Sequence, residues 1–159
     1  TITAKGYDDV EFLISTNPGE SLKPLSQVAS GGELSRIMLA IKTVLAGRDE
    51  IDTLIFDEID TGISGRTAWK VAEQLSVLSG AHQVICITHL PQIAAMADVH
   101  FAIEKSSTDD MTITDIRKVA DEESLAELAR LLGSDALTEA ALSNAKEMKE
   151  QANAFKEAR

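Results

Sequence analysis

Two short apolar runs constrain the fold more than anything else in these 159 residues. One is Leu54–Phe56 within DTLIFDEID, the other Val84–Ile87 within HQVICITHL. Each is too short for a helix, lacks the alternation of a strand with one wet face, and stops abruptly in polar residues. Runs of this kind read as buried parallel strands. Between them lies a helical pattern from about Gly65 to Leu78, ending near Gly80. Strand, helix, strand points to an α/β fold with a largely parallel sheet flanked by helices. In such sheets ligands gather at the carboxyl ends of the strands. Here those ends are Asp57-Glu58 and Thr88-His89.

The rest of the chain fits around this unit. DDVEFLIST alternates like an edge or half-buried strand, and NPGESLKPLSQ is a loop marked by Pro18-Gly19 and Pro24. A helix is expected from Gly32 to Ala46, with Leu34, Ile37, Met38, Ile41 and Leu45 on one face and Gly47 as its stop. PQIAAMAD reads as a short helix with Pro91 in its first turn. VHFAIEK and MTITDIRKV read as paired strands joined by the polar turn SSTDD. Two helices close the chain, Glu122 to Leu132 and Asp135 to Ala158. In the last, Ala141, Ala145, Met148, Ala152 and Phe155 form a seam that is too short to argue for a coiled coil and is expected to dock on a core. Trp69 is expected in the core, and His82 and His100 at surface or strand positions. We take residues 1–159 as one domain.

Composition narrows the function classes. A net charge of −11 is a poor match to a nucleic-acid backbone, which calls for a basic stripe. The single cysteine, Cys86, excludes an internal disulfide framework and a cysteine-cluster metal site, and its apolar surroundings make it a buried structural thiol. There is neither an apolar stretch of membrane-spanning length nor a signal-peptide pattern. A chain that opens at Thr1 directly into strand-like sequence reads as part of something longer, of cytoplasmic origin.

Three groups of residues carry candidate chemistry. In VASGGELSR, Ser30 and Glu33 fit a helix capping box, which would explain them as capping alone. A capping box does not call for two glycines between its members. Gly31 and Gly32 therefore imply that a ligand or another backbone comes close, and a helix N-terminus with bare amides favours a phosphate. In LIFDEID, one of the adjacent carboxylates of Asp57 and Glu58 can face a magnesium ion while the other acts as a base on an attacking water. Phosphoryl transfer needs both jobs. In ICITHL, His89 can donate to a terminal phosphate. Each signal has a bland counterpart: a solvated acidic turn for the acids, a structural histidine for His89.

Taken in order, these segments resemble the returning lobe of an ABC-type ATPase head. NPGE, KPLSQVASGGELSRIMLAIK, FDEIDTGISGRTA and ITHLPQIAAMADVHF, from about Tyr7 to Lys105, are similar to the head domain of the RecN family of SMC-like ATPases. The resemblance implies that Ser30, Gly31, Gly32 and Glu33 form the signature motif, which caps the γ-phosphate of ATP held by a second head. It makes Asp57 the magnesium-binding aspartate, Glu58 the catalytic glutamate and His89 the switch histidine. Asp60 to Gly65 becomes the loop that meets its counterpart across the dimer, although Ser64 stands where many ABC proteins carry an aspartate. It further implies ATP and magnesium as cofactors, a homodimer of heads, and a cytoplasmic, nucleoid-associated role in recombinational repair of DNA double-strand breaks. DNA would be met by the assembled protein, not by this acidic segment, and no membrane is involved.

The phosphate-cradling pattern G-x-x-x-x-G-K-[ST] is absent from the sequence, and its nearest imitation, Gly65–Thr67, follows the acidic strand instead of preceding it. The expectation is that this segment is the C-terminal lobe, that an N-terminal lobe of the same protein supplies the phosphate loop, and that the segment alone is inactive. Two other readings compete. A non-catalytic interaction module would not need Glu58 and His89. A transporter-type ATPase would carry the aspartate that Ser64 replaces.

Overall fold

The computed structural model describes residues 4, 6–8, 10–15, 19–27, 30–48, 50–108, 111–133 and 137–158. In chain order the elements are β1 (Leu13–Ile14), β2 (Lys23–Pro24), a 3-10 turn at Leu25–Gln27, α1 (Gly31–Leu45), β3 (Thr53–Phe56), α2 (Gly65–Leu78) and β4 (Gln83–Cys86). They continue with α3 (Pro91–Met96), β5 (Phe101–Thr108), β6 (Met111–Lys118), α4 (Asp121–Leu131) and α5 (Glu139–Glu157). Pro18, Val28, the turn residues Asp109 and Asp110, and Asp135 at the expected start of the last helix lie outside the described residues.

The two apolar runs pair as their composition requires. β3 and β4 are parallel, with Thr53 opposite Gln83 and Phe56 opposite Cys86. The pairing extends past the strand ends: Gln83 N donates to Asp52 O at 2.8 Å and Ile87 N to Phe56 O at 3.0 Å. α2 spans the same residues that its periodicity marks, and it provides the crossover between the strands. The α/β expectation is thus met at the centre, while the outlying pairs β1–β2 and β5–β6 are antiparallel. β5 and β6 form the expected hairpin.

Leu54 and Phe56 turn into a core made with Ile59, Leu39 of α1, Val71, Ala72, Leu75 and Leu78 of α2, and Ile93 to Met96 of α3. Leu128 and Ala129 of α4 and Ala145, Met148 and Ala152 of α5 join the same core, with Trp69 and Phe155 packed against it. The seam of α5 therefore docks on the core of this chain. Ala94 and Ala95 of α3 and Ala145 and Ala152 of α5 are all buried in this core. Lys149 fastens α5 to α3 by donating to Ala95 O and Ala97 O, the free carbonyls at the end of α3.

The opposite face of the parallel pair is open. Ile55 is 67% exposed, and Ile85 and Ile87 stand beside it at 44% and 48%. α1 likewise leaves Leu34, Met38 and Leu45 exposed, so its apolar face is only partly covered. Parallel sheets in folded domains are normally buried on both faces. Among the described residues no helix is long and apolar enough to cross a membrane.

Candidate functional site

α1 begins where capping predicts. Ser30 is extended and its Oγ accepts from Glu33 N at 3.1 Å, while its carbonyl accepts from Leu34 N. The two glycines have a reason beyond capping. A Cβ on Gly32 would stand 2.8 Å from the Glu58 carbonyl oxygen and 3.0 Å from Thr61 O and Thr61 Cβ. A Cβ on Gly31 would meet the Glu58 carboxylate. Close approach by another backbone is thus realised within the chain, by the loop that follows β3.

That loop is clamped onto α1. Ser35 Oγ donates to Asp57 O at 2.9 Å, and Arg36 Nη1 donates to Ile59 O and Thr61 O at 3.0 and 2.9 Å. Inside the loop, Thr61 N donates to Glu58 O and Ile63 N to Asp60 O. β3 ends at Phe56, so Asp57 and Glu58 are already out of the sheet when their side chains emerge, and both are exposed. Asp57 Oδ1 accepts from Glu58 N at 2.9 Å. Glu58 has φ of 57°, the one left-handed non-glycine among the described residues. A branched-at-Cβ-free but full side chain in that region costs about 1–2 kcal/mol. The turn holds only because Asp57, Ser35, Arg36 and the packed glycines over-determine it.

The two strand tips are joined through Asp60. It is 4% exposed, its Oδ2 accepts from Thr88 Oγ1 at 2.7 Å and His89 N at 2.9 Å, and His89 Nδ1 lies 3.0 Å away as an ion-pair partner. Thr88 Oγ1 in turn accepts from Leu90 N. Burial pushes the Asp60 carboxyl upward, but the hydrogen bonds from Thr88 and His89 and the neighbouring His89 charge outweigh it and hold the group below the ordinary aspartate value. The His89 side chain itself is 74% exposed. Cys86, under the same tip, is half-buried where full burial was expected; its thiol is pushed up to about 12 by burial first and then by the charges of Asp60 and Asp57, which keeps it inert.

All the candidate residues therefore sit at one edge of the β3–β4 pair. Glu58 meets Gly31 and Gly32, Asp57 is bonded to the first turns of α1, and His89 is tied to the same loop. Ser64 precedes α2 and caps it only through its carbonyl, to Thr67 N and Ala68 N. His82 departs from expectation. It is buried ahead of β4, with Nδ1 donating to Ile51 O at 2.7 Å, because the bend there needs a side-chain donor for a carbonyl of the neighbouring loop. No group of three or more histidine, cysteine, aspartate or glutamate side chains able to hold a metal occurs among the described residues. Ser35 and Arg36 carry no motif signal of their own, since they act through backbone carbonyls distant in sequence; Asp60 and Thr88 lie in segments the sequence marks, but the bond between them does not show there.

Two outcomes follow from this geometry. Gly32→Ala drives a methyl into backbone and is expected to lower stability by about 1–3 kcal/mol. Gly31→Ala meets only the end of the flexible Glu58 side chain and is expected to change it by less than about 0.5 kcal/mol; urea unfolding of both variants checks the contrast. Asp60, whose folded value is depressed, contributes stability that is complete above its unfolded value and is lost as pH falls through the folded one. Acid unfolding followed by circular dichroism is therefore expected to be shallower below about pH 4 in Asp60→Asn than in the parent. Glu127, held low chiefly by its hydrogen bonds with Arg130, supplies a residual slope in both.

No protein-family model matches the chain. DNA repair protein RecN of Halalkalibacterium halodurans is 49% identical over 151 residues, 95% of this chain and 27% of that protein. RecN of Treponema pallidum is 54% identical over 143 residues, 90% of this chain and 25% of that protein. A solved chain from work on ATP-driven dimerization and DNA-stimulated activation of SMC ATPases aligns with a TM-score of 0.49 at 23% identity, covering 78% of this chain and 81% of that one. The chain spans about a quarter of the length of the curated relatives it matches. It is a RecN-family segment, homologous to RecN along nearly all of its own length.

Proposed function

We propose that this segment is the C-terminal lobe of an ABC/SMC-type ATPase head, acting within a RecN-like protein in the repair of DNA double-strand breaks through ATP-dependent head dimerisation and ATP hydrolysis. The observation that carries it is the emergence of a paired carboxylate and an exposed histidine side by side at the carboxyl ends of a parallel strand pair. Phosphoryl transfer needs charge neutralisation and an oriented nucleophile more than covalent chemistry.

In this reading Glu58 is the base. Its exposed carboxylate stands clear of the sheet and can take a proton from an attacking water. Asp57 would hold magnesium, and a single carboxylate suits an ion that keeps several waters and takes its other ligands from phosphate. Magnesium, when bound, supplies neutralisation of the phosphate charge. Ser30 to Glu33 form a helix start whose dipole favours the γ-phosphate of ATP held by a second head, with Glu33 N already bonded to Ser30 Oγ. His89 presents Nε2 to a phosphate oxygen, because Nδ1 is turned to Asp60, and donates there in its doubly protonated form.

The open faces of β3–β4 and α1 favour the same reading. Ile55, Ile85 and Ile87 on the open strand face, and separately Leu34 and Met38 on α1, leave exposed apolar side chains suited to the N-terminal lobe that carries the phosphate loop. The head dimer, contact with DNA through the assembled protein and a cytoplasmic, nucleoid-associated place belong to this proposal. An acidic segment of net charge −11 fits an indirect role toward DNA.

In a RecN-length protein that carries this segment, Glu58→Gln is expected to reduce ATP turnover by at least about a hundredfold, as loss of a general base does. The 159-residue chain alone is expected to show no turnover. Undiminished turnover in the variant, or robust hydrolysis by the segment alone, contradicts the assignment.

A further inference from the structure

The resemblance assigns no chemical role to Asp60, yet its carboxylate is the most heavily used polar group at the strand tips. Two donors converge on one oxygen, Oδ2, namely Thr88 Oγ1 and His89 N, and His89 Nδ1 stands 3.0 Å from the same oxygen as an ion-pair partner. The Asp60 side chain is 5% exposed, whereas that of His89 beside it is 74% exposed. Backbone alone would not require this. A buried carboxylate is tolerated only when its hydrogen bonds are made, and a neutral acceptor would tie Thr88 and the His89 amide without bringing a charge indoors. What the charge adds is a hold on the exposed ring. An exposed histidine side chain otherwise samples several rotamers, and fixing one costs conformational entropy.

We propose that Asp60 is a positioning residue of the nucleotide site, acting through His89: it fixes the ring with Nδ1 inward and Nε2 outward, and couples it to the loop that bears Glu58. The assignment rests on the reading of Glu58 and His89 given above. The coupling is mechanical. Asp60 lies two residues beyond Glu58 in a loop held by Ser35 and Arg36 of α1, and that loop has little freedom of its own. Its carboxylate reaches across to Thr88 and His89, so the base and the histidine keep a constant relation. Leu90 N, bonded to Thr88 Oγ1, extends the hold to the start of α3.

The test is ATP turnover by a RecN-length protein carrying this segment, with Asp60→Asn, His89→Ala and the double variant. Asparagine keeps the size and an acceptor but loses the charge. Asp60→Asn is expected to lower kcat about tenfold or more with KM within about twofold, since binding groups are untouched. In the His89→Ala background the same change is expected to alter kcat by less than about twofold, because its effect passes through the missing ring. A loss of equal size in both backgrounds would make Asp60 a structural residue and overturn the proposal, as would an unchanged kcat in the single variant. If Asp60→Asn does not fold, Thr88→Val removes one donor to Oδ2 with a side chain of the same shape. It is then expected to lower kcat about threefold in the parent and to leave the His89→Ala background unchanged. Failure of the underlying reading looks different: there Glu58→Gln leaves turnover intact, and the role of Asp60 falls with it. Turnover that depends on Glu58 but not on Asp60 overturns the present inference alone.

Discussion

Every feature of the site depends on the parallel pairing of β3 with β4. Four residues of each strand match in register, and one further bond, from Ile87 N to Phe56 O, carries the pairing past the strand ends. That bond fixes where Asp57 and Glu58 leave the sheet relative to Thr88 and His89. Two strands of four residues could not hold such a register unaided. Burial of Leu54 and Phe56 against α2 and α3 does it, since a slip by one residue would turn both side chains out to solvent.

Above this platform the loop after β3 serves as a junction. It accepts from Ser35 and Arg36 of α1 on one side and presents Asp60 to Thr88 and His89 on the other. The left-handed conformation of Glu58 is the local cost of turning the chain sharply between these two attachments. Gly32 is where helix and loop come closest, and the absence of a side chain there is what permits the contact. The start of α1, the acidic pair and the histidine are thus joined through the hydrogen bonds of Ser35, Arg36 and Asp60, and are not three motifs that happen to be neighbours.

Much of this was legible in the sequence. The apolar runs identified β3 and β4, periodicity marked the ends of α2 at Gly65 and Leu78, and Ser30 announced the start of α1 to within a residue. Alternation served less well at the N-terminal end. DDVEFLIST reduces to a strand of Leu13–Ile14, because Tyr7, Val10 and Phe12 find no surface to pack against and remain exposed. His82 was misplaced for a related reason: its burial is decided by a carbonyl 31 residues away, at Ile51. The roles of Arg36 and Asp60 were equally hidden. A side chain that reaches a carbonyl or a histidine more than 20 residues away leaves no local pattern. The glycine pair was half legible: close approach was expected, but not that Glu58 and Thr61 of the same chain would make it.

The central claim is that this segment completes a nucleotide site in a second copy while placing its own base in another. The most direct measurement mixes two RecN-length variants, Ser30→Arg and Glu58→Gln, each expected to be inactive alone. If signature and base act on the same nucleotide from different subunits, mixed dimers contain one intact site. Equimolar mixing should then restore about a quarter of the parent turnover, from half the dimers having one of two sites intact. If Glu58 serves the Gly31–Gly32 helix start that it touches within its own chain, each site of a mixed dimer carries one of the two defects. Mixing then restores nothing, which would contradict the account.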